Sequence, residues 1–210
     1  MPGWRGGCFA TLFAIALHGA AAAAPMHCEY AAHEEVRLLA PAERIAWLTE
    51  ELAQCQDREL QALAFYSRGK AYIDLGEYEL AVADFTQSID LGPADIFYDY
   101  AARGFAYLHL NEQEAAIADA DAALDHEPFF AQAYSTRGVA ECNLRRLQDG
   151  TMDILTAIEL ERAYGRVWQE FLRKSGHYEG MITGNFDAAS KAALAQWCKT
   201  HRIAPGPMFF

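Results

Sequence analysis

The sequence predicts an all-α fold: a short α-solenoid of three helix-turn-helix repeats, with an N-terminal capping helix and a small C-terminal helical domain. Three Arg-Gly pairs recur at steps of 35 and 34 residues, namely Arg68-Gly69, Arg103-Gly104 and Arg137-Gly138. Two more series keep the same phase, the aspartates Asp84, Asp119 and Asp153 and the aliphatic residues Ile89, Leu124 and Ile158. A fixed period of this size indicates stacked copies of one supersecondary unit rather than a single globular core.

The first 24 residues predict a cleaved signal peptide. Arg5 is their only charge, residues 8–17 form an apolar run, and an alanine tract follows to Ala24. A charged start, a short apolar region and small residues at the cleavage site are typical of secretory leaders. The run is short for a membrane span, although an uncleaved anchor is the alternative. We therefore expect an exported protein in the periplasm of a Gram-negative bacterium.

Residues 25–61 predict an N-terminal cap, with one amphipathic helix over 44–52. Loss of Cys8 with the leader leaves four cysteines, and an even count in an oxidising compartment favours disulfides, with three possible pairings. A Cys28–Cys55 bond would staple the cap. A Cys142–Cys198 bond would tie the last repeat to the C-terminal segment. Buried free thiols are the alternative.

The repeats are predicted at 62–96, 97–130 and 131–161. Apolar residues three and four apart indicate two amphipathic helices in each repeat. In the first repeat the break falls at 75–78, where Gly76 ends the first helix. Pro93 and Pro128 stop the second helix of their repeats. A glycine in mid-helix, such as Gly69, costs about 1 kcal/mol relative to alanine, so its recurrence indicates close helix contact.

The repeated residues resemble the signature of the tetratricopeptide repeat family over 62–161. The first copy carries Phe65, Gly69, Tyr72, Ala81, Phe85, Ser88 and Pro93. The second carries Tyr100, Gly104, Tyr107, Ala116, Ala120, Ala123 and Pro128. The third keeps Tyr134, Gly138, Ile154 and Ala157, but has Glu141, Gly150 and Arg162 where the signature has tyrosine, alanine and proline. A degraded last copy is what a capping repeat should look like.

The resemblance implies a concave groove lined by the first helix of each repeat. The groove positions are Tyr66, Lys70, Ile73, Asp74, Tyr98, Ala101, Phe105, His109, Gln132, Ser135, Val139, Cys142 and Asn143. The basic and asparagine residues with which some members of the family grip a carboxylate are absent. The aromatic and apolar lining suits an extended apolar peptide or a helix. Alternatively, the cap or the C-terminal domain covers this surface.

Residues 162–210 predict a helix, a glycine-rich loop over 175–184, and a second helix after the N-cap Asp187. Their pattern is similar to the peptidoglycan-binding domain of cell-wall hydrolases: Trp168-Gln169, Leu172, Gly176, Tyr178, Gly180, Ile182, Gly184, Phe186, Ser190, Ala193, Leu194 and Trp197. The resemblance implies a non-catalytic contact with peptidoglycan through Tyr178, Thr183, Asn185 and Trp197. The alternative assigns Trp197 to the core and Thr183 and Asn185 to the turn.

The net charge of −12, or −13 once Arg5 is removed, argues against binding to nucleic acid. No phosphate-binding loop, nucleophile elbow or dinucleotide fingerprint is present. The histidines are scattered without ligand spacing, so we predict neither a metal nor a cofactor. The sequence therefore predicts a non-enzymatic exported adaptor that binds a protein or peptide and contacts peptidoglycan. The alternative is a pure protein-interaction module whose C-terminal segment is a structural cap.

Overall fold

A computed structural model of the chain describes residue 36 and residues 38–200. Every regular element in these ranges is helical, as predicted. The helices are α1 (Pro41–Gln54), α2 (Arg58–Leu75), α3 (Tyr78–Leu91), α4 (Ile96–His109), α5 (Gln113–His126), α6 (Ala131–Asn143), α7 (Leu147–Leu160), α8 (Arg162–Lys174) and α9 (Ala188–Thr200). The predicted signal peptide and Cys28 lie outside the described residues, and so does the end of the chain after 200.

Helices α2 to α7 form three antiparallel hairpins that stack in chain order. The pairs α2–α3, α4–α5 and α6–α7 each pack together, and every second helix also packs against the first helix of the next pair. Helix α1 packs against α2 in the same way. It therefore occupies the place that the second helix of a preceding repeat would have, which is the capping role that the sequence predicts.

The turn inside each hairpin has one residue in the left-handed region at the same register. The residues are Gly76 (φ 78°), Asn111 (φ 62°) and Arg145 (φ 67°). Glycine and asparagine adopt this conformation readily, whereas arginine does so rarely. The Arg145 side chain donates a hydrogen bond to the carbonyl of Lys199 on α9. The least favourable of the three turns is thus held by the C-terminal helix.

The recurring arginine joins three helices in every repeat. Arg103 on α4 donates to both carboxylate oxygens of Asp119 on α5, at 2.8 and 2.7 Å. Its remaining terminal nitrogen donates to Thr86 on α3 at 3.0 Å. Arg68 makes the corresponding bonds to Asp84 and Thr49. Arg137 makes them to Asp153 and Asp121. The arginine period therefore fixes how each hairpin closes and how it stacks on the preceding helix.

The recurring glycine lets the two helices of a hairpin approach closely, as predicted. A Cβ atom added to Gly104 would lie 3.2 Å from the carbonyl oxygen of Ala116. The third repeat is tighter, since a Cβ on Gly138 would lie 2.8 Å from the carbonyl oxygen of Gly150. Gly150, which stands where the signature has alanine, is therefore part of a closer helix crossing. This crossing brings α7 against Cys142.

The C-terminal segment shares its hydrophobic core with the third repeat. One buried cluster contains Val139 and Ile154 of the repeat together with Trp168, Leu194 and Trp197 of the segment. The Trp168 and Trp197 rings meet edge to face, with centroids 5.4 Å apart. Helix α9 packs against α6, α7 and α8. The segment is thus continuous with the solenoid.

The glycine-rich loop between α8 and α9 is organised by one buried amide. The Gln169 carboxamide oxygen accepts hydrogen bonds from the backbone N–H groups of Thr183 and Gly184, at 3.0 and 2.9 Å. Its nitrogen donates to the carbonyl of Asn185 and to the hydroxyl of Ser190, at 2.8 and 2.9 Å. Asp187 caps α9 as predicted, because it accepts from the backbone N–H of Ser190. The Gln169 bonds therefore fix the loop and the start of α9 to α8.

Cys142 on α6 and Cys198 on α9 are joined by a disulfide, with Cα atoms 4.9 Å apart and a separation of 56 positions in sequence. Closing a loop of this length restricts the unfolded chain, so we expect Cys198→Ser to lower the free energy of unfolding by about 2–4 kcal/mol. Urea denaturation followed by circular dichroism measures the change. The Cys142→Ser/Cys198→Ser double variant should match the single variant, because both lose the same bond. Unchanged stability in both variants would contradict a bond that is formed in solution.

Candidate functional site

Many of the predicted groove residues are buried in the folded chain. Of the predicted groove residues, the buried ones are Ile73, Ala101, Phe105, Ser135, Val139 and Cys142. Cys142 is bonded to α9, so the C-terminal helix covers the end of the groove at the third repeat. Ile73 and Phe105 are about 3–4% exposed, so their side chains offer little surface to a partner. The sequence could not show how closely the helices pack here.

A ring stack explains the burial at the centre of the groove. His109 stacks on Tyr78 with ring centroids 4.0 Å apart and lies 4.6 Å from the Phe105 ring. Burial lowers the pKa of His109 to about 4, so the imidazole is neutral at physiological pH. His109 therefore contributes packing and no positive charge to the concave face.

Three other predicted groove residues contact the protein itself. Asp74 is exposed but forms an ion pair with Arg44 on the capping helix. Asn143 donates a hydrogen bond to the Gln113 side chain at 3.1 Å. The Lys70 ammonium lies 5.6 Å from the centre of the Tyr66 ring. The capping helix and the second repeat thus engage the polar ends of the groove.

Two predicted residues, Tyr66 and Tyr98, line a pocket of about 290 Å³ between the first and second repeats. Its walls come from α2, the end of α3, the linker that follows, and the start of α4. The full lining is Glu59, Leu60, Ala62, Leu63, Tyr66, Ser88, Pro93, Ala94, Asp95, Tyr98 and Asp99. Tyr98 is 44% exposed, so the pocket opens at the accessible edge of the concave face. This part of the predicted groove is open to a ligand.

Asp99 is the buried acid of this pocket, and its side chain is only 3% exposed. Burial raises the pKa of Asp99 to about 6, while the Ser88 hydroxyl and the Arg103 charge act in the opposite direction. The sequence-based prediction missed this residue. A signal was present, because the same register holds the buried alanines Ala64 and Ala133 in the other repeats. A carboxyl group at a position that otherwise takes a small apolar side chain indicates a special role.

The predicted peptidoglycan contacts fall into two pairs. Trp197 is fully buried and Tyr178 is 5% exposed, and the Tyr178 hydroxyl donates to the carbonyl of Met181 at 3.0 Å. Burial therefore favours the core interpretation for both rings. Thr183 and Asn185 are exposed at the surface of the loop. The Thr183 hydroxyl accepts from the backbone N–H of Asn185 at 3.1 Å, a bond that serves the turn.

Asn185 also lines a second cleft, of about 360 Å³, between α7, the start of α8 and the glycine-rich loop. Its other charged or aromatic lining residues are Glu159, Arg162, Phe186 and Lys191. The lining of the cleft is thus mixed in polarity. Within residues 36 and 38–200, no group of three or more metal-ligating side chains could hold a metal ion. In the same ranges no helix has the length and apolarity to cross a membrane.

Comparison with known proteins agrees with this architecture. The tetratricopeptide repeat family matches residues 62–95, which are the first hairpin and the linker after it. The repeats have the tetratricopeptide fold. The solved structure of MamA, residues 41 to the end, from Desulfovibrio magneticus RS-1 has a TM-score of 0.55 and 22% identity, covering 78% of this chain and 85% of that one.

Two further tetratricopeptide structures are similar. YrrB, described as having an unusual peptide-binding site, has a TM-score of 0.52 and 14% identity over 77% of this chain and 84% of its own. The first tetratricopeptide domain of Spaghetti (RPAP3), bound to an HSP90 peptide, has a TM-score of 0.47 and 28% identity over 49% of this chain and 81% of its own. At these identities the likeness concerns the fold. Comparison with curated protein sequences gives no match.

Proposed function

We propose that this chain is a non-catalytic protein-interaction module that binds an extended peptide segment of a partner at the edge of its concave face. The observation that carries the proposal is the pocket between the first two repeats, with the exposed ring of Tyr98 beside it. Exposed aromatic rings at the mouth of a pocket are typical anchors of protein interfaces. The other end of the groove is covered by α9, so the partner segment lies over the first two repeats.

Export to the periplasm is part of this proposal and is supported by the pattern of residues 1–24. The disulfide between α6 and α9 fits such a location, because disulfides persist in oxidising compartments. A non-enzymatic role is supported by the absence of a recognisable catalytic motif in the sequence.

A peptide-binding experiment tests the proposal directly. A phage-displayed random peptide library is selected on the full mature chain, and the enriched peptides are titrated by fluorescence anisotropy. We expect Tyr98→Ala to weaken them by about tenfold or more, because truncating an aromatic anchor removes more than 1 kcal/mol of binding free energy.

The matched control is Leu80→Ala, since Leu80 is 48% exposed on α3 and lies outside the pocket. Its affinity should stay within about twofold of the wild type, the range of a near-neutral surface substitution. If no peptide is enriched above the level on an unrelated protein, or if Tyr98→Ala binds as well as Leu80→Ala, this function is wrong. Phe105→Ala is unsuitable as a test, because it removes a buried ring.

Peptidoglycan is a second candidate ligand, favoured by the exposed Asn185 at the cleft beside the glycine-rich loop. A chain cut near residue 162 would lose part of the shared core, so point variants of the full chain make the better test. The full mature protein should sediment with insoluble peptidoglycan, and the Asn185→Ala/Lys191→Ala double variant should reduce the pelleted fraction. Equal recovery of wild type and variant in the supernatant would show that peptidoglycan is not a ligand of this cleft.

A further inference from the structure

One residue that lines the pocket between the first two repeats has a buried carboxylate oxygen that lacks a hydrogen-bond partner. Asp99 Oδ1 is buried and accepts no hydrogen bond from any group in the described part of the chain. Asp99 is one of the residues that line the pocket. The neighbouring Ser88 hydroxyl, which favours the charged form of Asp99, is itself bonded to the carbonyl of Ala62 at 2.9 Å. Buried polar atoms are nearly always paired in native proteins, and each exception calls for an explanation.

The surroundings of this oxygen favour a cation. Glu59 and Asp95 line the same pocket, and the chain as a whole carries a net charge of −12. Apart from Ser88, the remaining lining residues are apolar or aromatic and include Tyr66 and Tyr98. Tyrosine faces attract cations, and apolar walls suit an aliphatic stem. The pocket of about 290 Å³ is at the lower end of the size of ligand sites, which suits one side chain rather than a cofactor.

We propose that this pocket binds the ammonium group of a lysine side chain, carried by the peptide segment that occupies the concave face. The ammonium pairs with the Asp99 carboxylate, and the aliphatic stem lies between Tyr66 and Tyr98. A single unpaired oxygen matches the point charge of lysine. Arginine presents a planar fork that is best matched by two accepting oxygens. The proposal rests on the peptide-binding function above and adds the chemistry of the anchoring residue.

Binding of a cation here depends on pH in a defined direction. The ammonium group pairs with the charged form of Asp99, whose pKa lies near 6 because of burial. The other titratable side chains around the pocket are Glu59 and Tyr66 on α2 and Asp95 and Tyr98 at the start of α4. Lys70 lies 5.6 Å from the Tyr66 ring, and Arg103 lies one turn further along α4. We therefore expect affinity to be full above pH 7 and to fall as the pH drops through 6, where Asp99 becomes protonated.

The test uses n-butylammonium chloride as a probe, because it carries the lysine ammonium on a four-carbon stem. It is titrated into the ¹⁵N-labelled full mature chain at pH 7.5 and pH 5, and backbone amide shifts are followed by NMR. We expect saturable shifts at Ala62, Ala94 and Tyr98, an affinity several-fold weaker at pH 5, and no saturable shift with n-butanol. Methylguanidinium chloride should bind more weakly, and equal binding would overturn the preference for lysine.

The decisive variant is Asp99→Asn, which keeps the shape of the side chain and removes the charge. We expect it to weaken n-butylammonium by about tenfold or more, whereas Asp125→Asn, an exposed acid on α5, should change the affinity by less than about twofold. Carbon-detected NMR of the wild type provides a second measurement, because the bound probe should lower the pKa of the Asp99 carboxyl group. An unshifted Asp99 titration, or equal affinity in the two variants, overturns the ammonium site.

The peptides selected for the proposed function separate the two claims. Enrichment of lysine, with affinity lost in Asp99→Asn, supports both claims. Peptides that bind through Tyr98 but are insensitive to Asp99→Asn leave the peptide-binding function standing and refute the lysine pocket. Binding of n-butylammonium at Asp99 without any selected peptide supports an amine site and refutes the peptide-binding function together with the peptide-borne lysine.

Discussion

Replacing Trp168 with alanine is expected to lower the free energy of unfolding by about 3–5 kcal/mol, the usual effect of emptying a large buried site. Trp168 is fully buried, and its ring meets the rings of Phe171 and Trp197 edge to face at 5.5 and 5.4 Å. The same cluster continues into the third repeat through Ile154. The Trp168→Ala substitution therefore destabilises the solenoid as well as the C-terminal segment.

Urea denaturation followed by far-ultraviolet circular dichroism measures this effect, because the helical signal reports the whole chain. The transition should move to lower urea as one step, since the repeat and the segment unfold together. Met181→Ala is the control, because Met181 is 81% exposed and should change stability by less than about 0.5 kcal/mol. A loss below about 1 kcal/mol for Trp168→Ala, or an early separate transition of α8 and α9, would show that the segment is an independent attachment.

Asp119→Ala is expected to lower the free energy of unfolding by about 3–5 kcal/mol, because it leaves the Arg103 guanidinium buried with one weaker partner. The Arg103 side chain is 16% exposed and that of Asp119 is 7% exposed. Both carboxylate oxygens of Asp119 accept from Arg103. After the substitution only Thr86, on the preceding repeat, accepts from the guanidinium.

The control for charge removal is Arg146→Ala, since Arg146 is half exposed and pairs with Glu141 at the surface. Such a pair contributes less than about 1 kcal/mol. The double variant Arg103→Met/Asp119→Leu should recover most of the stability lost in Asp119→Ala, because no charge is then left unpaired. If the double variant is as unstable as the single one, the ion pair is not the reason for the loss.

The repeat period of the sequence predicts most of the fold, because each recurring residue type has a steric or electrostatic role in helix packing. The glycine at 104 lies where two helices cross, and Gly76 has the positive φ that its turn requires. In the sequence, the arginine and aspartate series form two separate periodic patterns. Their pairing follows from the hairpin geometry, since positions 16 residues apart face each other across two antiparallel helices.

The candidate site was only partly predictable, because groove positions say which way a side chain points and not what else covers it. Phe105 and Ile73 hold predicted groove positions but are buried. Cys142 is covered because α9 is bonded to it. Asp99 could have been found by comparing registers, since Ala64 and Ala133 hold the same place in the neighbouring repeats. Near the predicted boundary at 162, α7 and α8 are separated by Glu161 alone and share one core, a continuity that the end of the sequence period does not reveal.

Hydrogen-exchange mass spectrometry of the full mature chain, with and without a saturating selected peptide, tests most directly the central claim that the partner binds over the first two repeats. The peptide should slow amide exchange in residues 59–66 and 94–99, which line the pocket, and leave α8 and α9 unchanged. Protection confined to α8, α9 or the glycine-rich loop between them would contradict the claim and move the binding site to the C-terminal segment.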